Sequence, residues 1–70
     1  MNANMLRGKI VAKGYTIERF CETAGFNRAT FDRKLSGKYE FDRAEIRRII
    51  TVLELTDEEV RAIFFAEEVA

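Results

Sequence analysis

The feature that most narrows the fold of this chain is a six-position arrangement that marks four helix starts. An apolar residue is followed by a helix-capping residue, three further positions and a second apolar residue. It reads Tyr15-Thr16 with Phe20, Phe26-Asn27 with Phe31, Phe41-Asp42 with Ile46, and Leu55-Thr56 with Val60. The first N-H groups of a helix have no partner within it, so a Ser, Thr, Asp or Asn oxygen at the start supplies one. The flanking apolar pair then fixes the angle at which the chain enters. Four helix starts are therefore written locally. Asp42 with Glu45 and Thr56 with Glu59 add the reciprocal capping box, in which each side chain satisfies the other's backbone N-H. A first helix is expected from about Ala3 to Lys13, stopped by Gly14.

Periodicity agrees with these starts. Ile17, Phe20, Cys21 and Ala24 fall at i, i+3, i+4 and i+7, and so do Ile46, Ile49, Ile50 and Leu53. No segment alternates as a strand does, and proline is absent, so the expected fold is all-α, with five helices in one domain spanning 1–70. A chain of this length buries only about 60% of the surface its unfolded form exposes, which makes a partner subunit helpful to it.

With one cysteine, Cys21, and no histidine, neither an intrachain disulfide nor a Cys/His zinc site can be assembled. The general base that Ser or Cys nucleophiles use is missing as well. Glu58/Glu59 and Glu67/Glu68 are adjacent carboxylates, and neighbours on a helix point to different sides, which suits a solvated face better than an acid/base couple. A binding function without catalysis, cofactor, metal or small-molecule ligand is expected. No apolar run is long enough to span a bilayer, and MNANMLRGK lacks the pattern of a signal peptide, which points to a cytoplasmic protein without membrane contact.

The formal net charge is zero, but it is unevenly spread. Through Tyr39, eight cationic side chains face three acidic ones, a balance of +5, and from Glu40 onward the balance is −5. Such asymmetry suits a molecule of which one side meets a polyanion. Within the basic half, only Gly25 and Phe26 separate Ala24 from the cap Asn27, the length and composition of a helix-turn-helix reversal. Cys21, one turn before Gly25, is small enough for the two helices to approach, a packing role rather than a redox one.

The stretch TIERFCETAGFNRATFDRKLSGK resembles the helix-turn-helix of the Cro and repressor type, the lambda-repressor-like family. Cys21, Gly25, Phe26, Asn27, Phe31, Leu35 and Gly37 occupy its patterned places. Cys21 stands where alanine is commoner, and Phe31 where a smaller aliphatic residue is. The family's five-helix arrangement also matches the starts found above. The resemblance implies double-stranded DNA as partner, with the first turn of the third helix and the residue a turn later against base edges. Those positions are Arg28, Ala29, Asp32 and Arg33. At about 100° per residue, Phe31 and Leu35 share one side, and Arg33 and Ala29 project away from it. Arg28 and Asp32 lie on one flank, Thr30 and Lys34 on the other.

An arginine can bond bidentately to guanine O6 and N7, and Ala29 leaves room for a thymine methyl. Asp32 stands four residues after Arg28, and an i, i+4 ion pair orienting that arginine is its expected role. Thr16 and Asn27 cap helix ends whose N-H groups suit phosphate. Lys34, Ser36, Lys38 and Tyr39 flank the far end of the recognition helix and Arg43 opens the fourth, the regions from which similar proteins touch the backbone.

The last helix has two apolar stripes. Val60, Ile63 and Phe64 suit the core; Ala62, Phe65, Ala66 and Val69 lie roughly opposite and suit a homodimer interface. Alternatively, Phe65 folds over the first helix beside Leu6 or Ile10 and the chain is a monomer. The resulting expectation is a repressor-like transcriptional regulator of phage or mobile-element type. Two alternatives are a helical protein-interaction module, such as an antitoxin or adaptor, and an excisionase-like factor that bends DNA.

Overall fold

Five helices follow one another in the computed structural model, which describes residues 1–65: α1 (Ala3–Ala12), α2 (Ile17–Ala24), α3 (Arg28–Leu35), α4 (Arg43–Leu53) and α5 (Asp57–Phe64). There is no strand among the described residues. Each expected start carries its cap. Thr16 Oγ1 accepts from Arg19 N at 3.1 Å and Asn27 Oδ1 from Thr30 N at 3.1 Å. Both capping boxes close: Glu45 N donates to Asp42 Oδ1 at 2.8 Å and Asp42 N to Glu45 Oε1 at 2.9 Å, while Glu59 N donates to Thr56 Oγ1 at 3.1 Å and Thr56 N to Glu59 Oε1 at 2.9 Å. α1 is also capped, by Asn2 Oδ1, which accepts from Met5 N at 3.0 Å. It ends at Ala12, with Lys13 as its C-cap.

Two of the four apolar pairs are aromatic contacts. Tyr15 meets Phe20 edge-on at 5.9 Å between ring centroids, and Phe26 meets Phe31 at 5.2 Å. Phe41, Ile46, Leu55 and Val60 are half-buried. The core consists of Leu6, Ile10, Phe20, Cys21, Ala24, Phe31, Leu35, Ile49, Leu53 and Ile63, all 5% exposed or less. Of the two predicted stripes, the α2 positions Phe20, Cys21 and Ala24 are buried and Ile17 half-buried, and in α4 Ile49 and Leu53 are buried while Ile46 and Ile50 are half-buried.

α2 is the central element, packed on α1, α3 and α4, and α5 closes the far side of α1. The Asn2 amide donates to the Ile63 carbonyl at 2.7 Å, tying the start of the chain to α5. An aromatic series runs through the other half of the molecule. Phe31, fully buried, stands 5.6 Å from Phe20 and 5.6 Å from Phe41, whose ring meets Phe64 edge-on at 6.4 Å. This series gives the large Phe31 side chain its room: neighbouring aromatic rings in offset and edge-on contact fill the volume around it.

In α5 Ile63 is buried and Val60 and Phe64 are half-buried. On its other side Ala62 is half-buried and Phe65, the C-cap, is 64% exposed. Leu6 and Ile10, by contrast, are fully buried. Ala66 and Val69, with Glu67 and Glu68, lie outside the described residues.

Candidate nucleic-acid interface

The reversal from α2 to α3 is made by one residue. Gly25 has φ +77°, a left-handed conformation that side chains resist, and the Phe26 amide returns to the Cys21 carbonyl at 2.8 Å. Cys21 beneath it is 2% exposed, and burial pushes its thiol pKa up, with nearby Arg28 pulling it down and Asp32 up. A buried, protonated thiol is a packing atom and a poor nucleophile.

α3 is seated by Phe31 and Leu35, and Arg28, Ala29, Asp32 and Arg33 are exposed on its outer side. Thr30 and Lys34, on the flank, are half-buried. Arg28 Nε lies 3.2 Å from both Asp32 oxygens, so the i, i+4 pair is formed. Arg33 makes no ion pair with any described residue. Its carbonyl receives the Ser36 hydroxyl at 2.8 Å and the Lys38 amide at 3.0 Å, which ends the helix, and the residue itself is exposed. Lys38, Tyr39 and Arg43, which follow α3 in the chain, are exposed as well.

Lys34 is placed differently from the phosphate-contact role assigned to it above. Its Nζ is 2.6 Å from both oxygens of Glu45, in a pair whose side chains are only 17% and 12% exposed. A charge so engaged in a half-buried site is not free for phosphate, because leaving would strand the carboxylate. Thr16 and Asn27 spend an oxygen on their caps but stay exposed, and Ser36 likewise donates within the chain.

The division of charge along the sequence is not a division in space. Lys9 pairs with Glu59, Lys13 with Glu54 at 3.5 Å, and Lys34 with Glu45, each joining the basic half to the acidic one. Arg19 with Glu22 and Arg28 with Asp32 pair locally. Of the eight cations before Glu40, Arg7, Arg33 and Lys38 have no carboxylate partner among the described residues. Of these three, Arg33 and Lys38 lie in or just after α3 and Arg7 lies on α1.

Arg48 was not singled out from the sequence. Its guanidinium lies 4.5 Å from the Phe26 ring centroid, and Nη1 donates to the Gly25 carbonyl at 3.4 Å, so α4 reaches over the turn. Tyr39, Phe41, Phe64, Phe65 and Met1 line a groove of about 360 Å³. No three Asp, Glu or Cys side chains among the described residues gather as metal ligands, and no helix there is long and apolar enough to cross a membrane.

A family model described as "Protein of unknown function (DUF739)" matches residues 2–67, almost the whole chain. The chain belongs to DUF739. No curated protein and no solved structure matches it. None of these comparisons puts this DUF739 member among the Cro and repressor proteins, so that likeness stands on the residues of the α2–α3 segment. The DUF739 match covers all five helices and the turn alike.

Proposed function

We propose that the chain binds double-stranded DNA sequence-specifically, as a repressor-like transcriptional regulator of phage or mobile-element type, with α3 in the major groove. The observation that carries this reading is Arg33: an arginine unpaired among the described residues, on the outer face of a helix seated by Phe31 and Leu35 directly after a tight glycine turn. That is the arrangement major-groove reading requires, a rigid helix with its long donor side chains facing out. Arg28, held by Asp32, is the second base-reading arginine, and Ala29 beside it offers apolar contact to a thymine methyl. Thr16, Asn27, Ser36, Lys38, Tyr39 and Arg43 remain as backbone contacts, and Lys34 leaves that set.

A second reading, a helical protein-interaction module, draws support from the internal pairing of five of the eight N-terminal cations. Selecting bound duplexes from a random pool separates the two. The DNA reading expects a recovered motif, with Arg33→Ala lowering affinity for it by about tenfold to a hundredfold and affinity for random duplex far less. Lys38→Ala should weaken both alike. Failure to recover any motif would favour the interaction module, and equal losses from Arg33→Ala on both duplexes would argue against base reading by Arg33.

A further inference from the structure

Among the close helix pairs, α3 takes part only in the one with α2. Beside the core that α3 shares with α4, two long side chains, three residues apart on one face of α4, reach to α3 and to the turn before it. Glu45 binds Lys34 near the end of α3 with both oxygens at 2.6 Å. Arg48 stacks at 4.5 Å over Phe26 and bonds to the Gly25 carbonyl at 3.4 Å, just before α3 begins. Glu45 is itself fixed, because its Oε1 also accepts the Asp42 amide at 2.9 Å.

We infer that Glu45 and Arg48 form a two-point cradle that sets the roll and tilt of α3, making them positioning residues for specificity that do not touch DNA. The inference rests on the DNA-binding reading for its functional consequence but not for its structural one. Phe31 and Leu35 hold α3 at its distance from the core, yet apolar contact is non-directional and constrains rotation weakly. Charge-assisted bonds and a stacked guanidinium are directional. A side chain on a helix reaches about 5–6 Å from its axis, so a roll of about 15° carries the Arg33 stem about 1.5 Å sideways. Hydrogen bonds tolerate only about 0.5 Å, so such a roll removes base reading while leaving loose phosphate attraction in place.

Two charge-neutral variants test this without altering the phosphate attraction itself. The double change Lys34→Met with Glu45→Gln removes the pair and keeps the capping box, since glutamine also serves at that position. Arg48→Lys keeps the charge and loses the planar fork and stack. Each is measured for affinity to the selected duplex and to random duplex, and, without DNA, for the orientation of α3 through backbone residual dipolar couplings. The cradle expects folded proteins in which α3 couplings depart from those of α2, selectivity falls about tenfold, and random-duplex affinity changes by less than about threefold. Unchanged couplings together with unchanged selectivity overturn it. Should the unaltered protein select no duplex, the DNA reading falls, and the couplings alone then decide the cradle: a reoriented α3 upholds it and a fixed one refutes it.

Discussion

Glu54 closes α4 with φ +53°, the one described non-glycine residue in the left-handed region. The conformation costs a side-chain-bearing residue about 1–2 kcal/mol, offset in part by glycine's larger loss of freedom on folding. Glu54→Gly should therefore stabilise the protein by about 0.5 kcal/mol, a rise of about 2–4 °C in melting temperature. The lost Lys13 contact, between two well-exposed side chains, offsets little of that. Glu54→Ala removes the same contact and keeps the strain, so a glycine variant that melts no higher than the alanine variant shows that strain does not govern this position. Residue direction was partly legible in the sequence. Helical period places Arg33 and Ala29 outward, and Arg28 with Asp32 in reach of each other, because those relations depend on spacing within one helix. The Lys34–Glu45 pair and the Arg48–Phe26 stack were not, since each joins residues 11 or 22 positions apart and depends on how two helices cross.

Helix starts were the most legible elements, because caps and apolar pairs act over six residues and need no tertiary context. The start of α1 at Ala3 agrees with the expected one; only its cap escaped, although Met1-Asn2 with Leu6 has the same spacing as the other pairs. How α5 docks on α1 was equally hidden, and it has a measurable signature. Glu59 serves its capping box and also binds Lys9 across the interface; the Lys9 bond first, then the Thr56 amide, lower its pKa from 4.5 to about 2. A carboxylate whose pKa is depressed by folding adds stability that is present above its unfolded value and lost as pH falls through its folded one. The contribution of Glu59 should thus fade between about pH 4.5 and pH 2. Glu59→Gln keeps the cap geometry and lacks the titration, so its melting temperature should fall less steeply across that window than that of the unaltered protein. Parallel curves would show that the Lys9 contact does not couple α5 docking to pH.

At the scale of the whole molecule, neutral net charge and the proposed DNA partner are reconciled by where the charges are spent. The sequence shows a basic half with eight cations, enough for four to six phosphate contacts, but the fold returns three of those cations to carboxylates of the acidic half. Around α3, Arg33, Lys38 and Arg43 keep no described carboxylate partner, and neither does Arg48, which is engaged instead by the Phe26 ring and the Gly25 carbonyl. About three neutralised phosphates give a slope of log affinity against log salt near −3 for one chain, and about −5 for two chains bound together. The slope therefore reports stoichiometry as well as contact. Phe65, 64% exposed at the aromatic groove, belongs to the apolar face proposed to join two copies, which on a palindromic site would set paired recognition helices about 34 Å apart. Phe65→Asp should move the protein to the monomer in sedimentation and bring the slope from near −5 to near −3, with affinity for a single half-site unchanged. A slope near −3 for both proteins, with one sedimenting species each, would mean that a single chain binds alone and that Phe65 serves another contact.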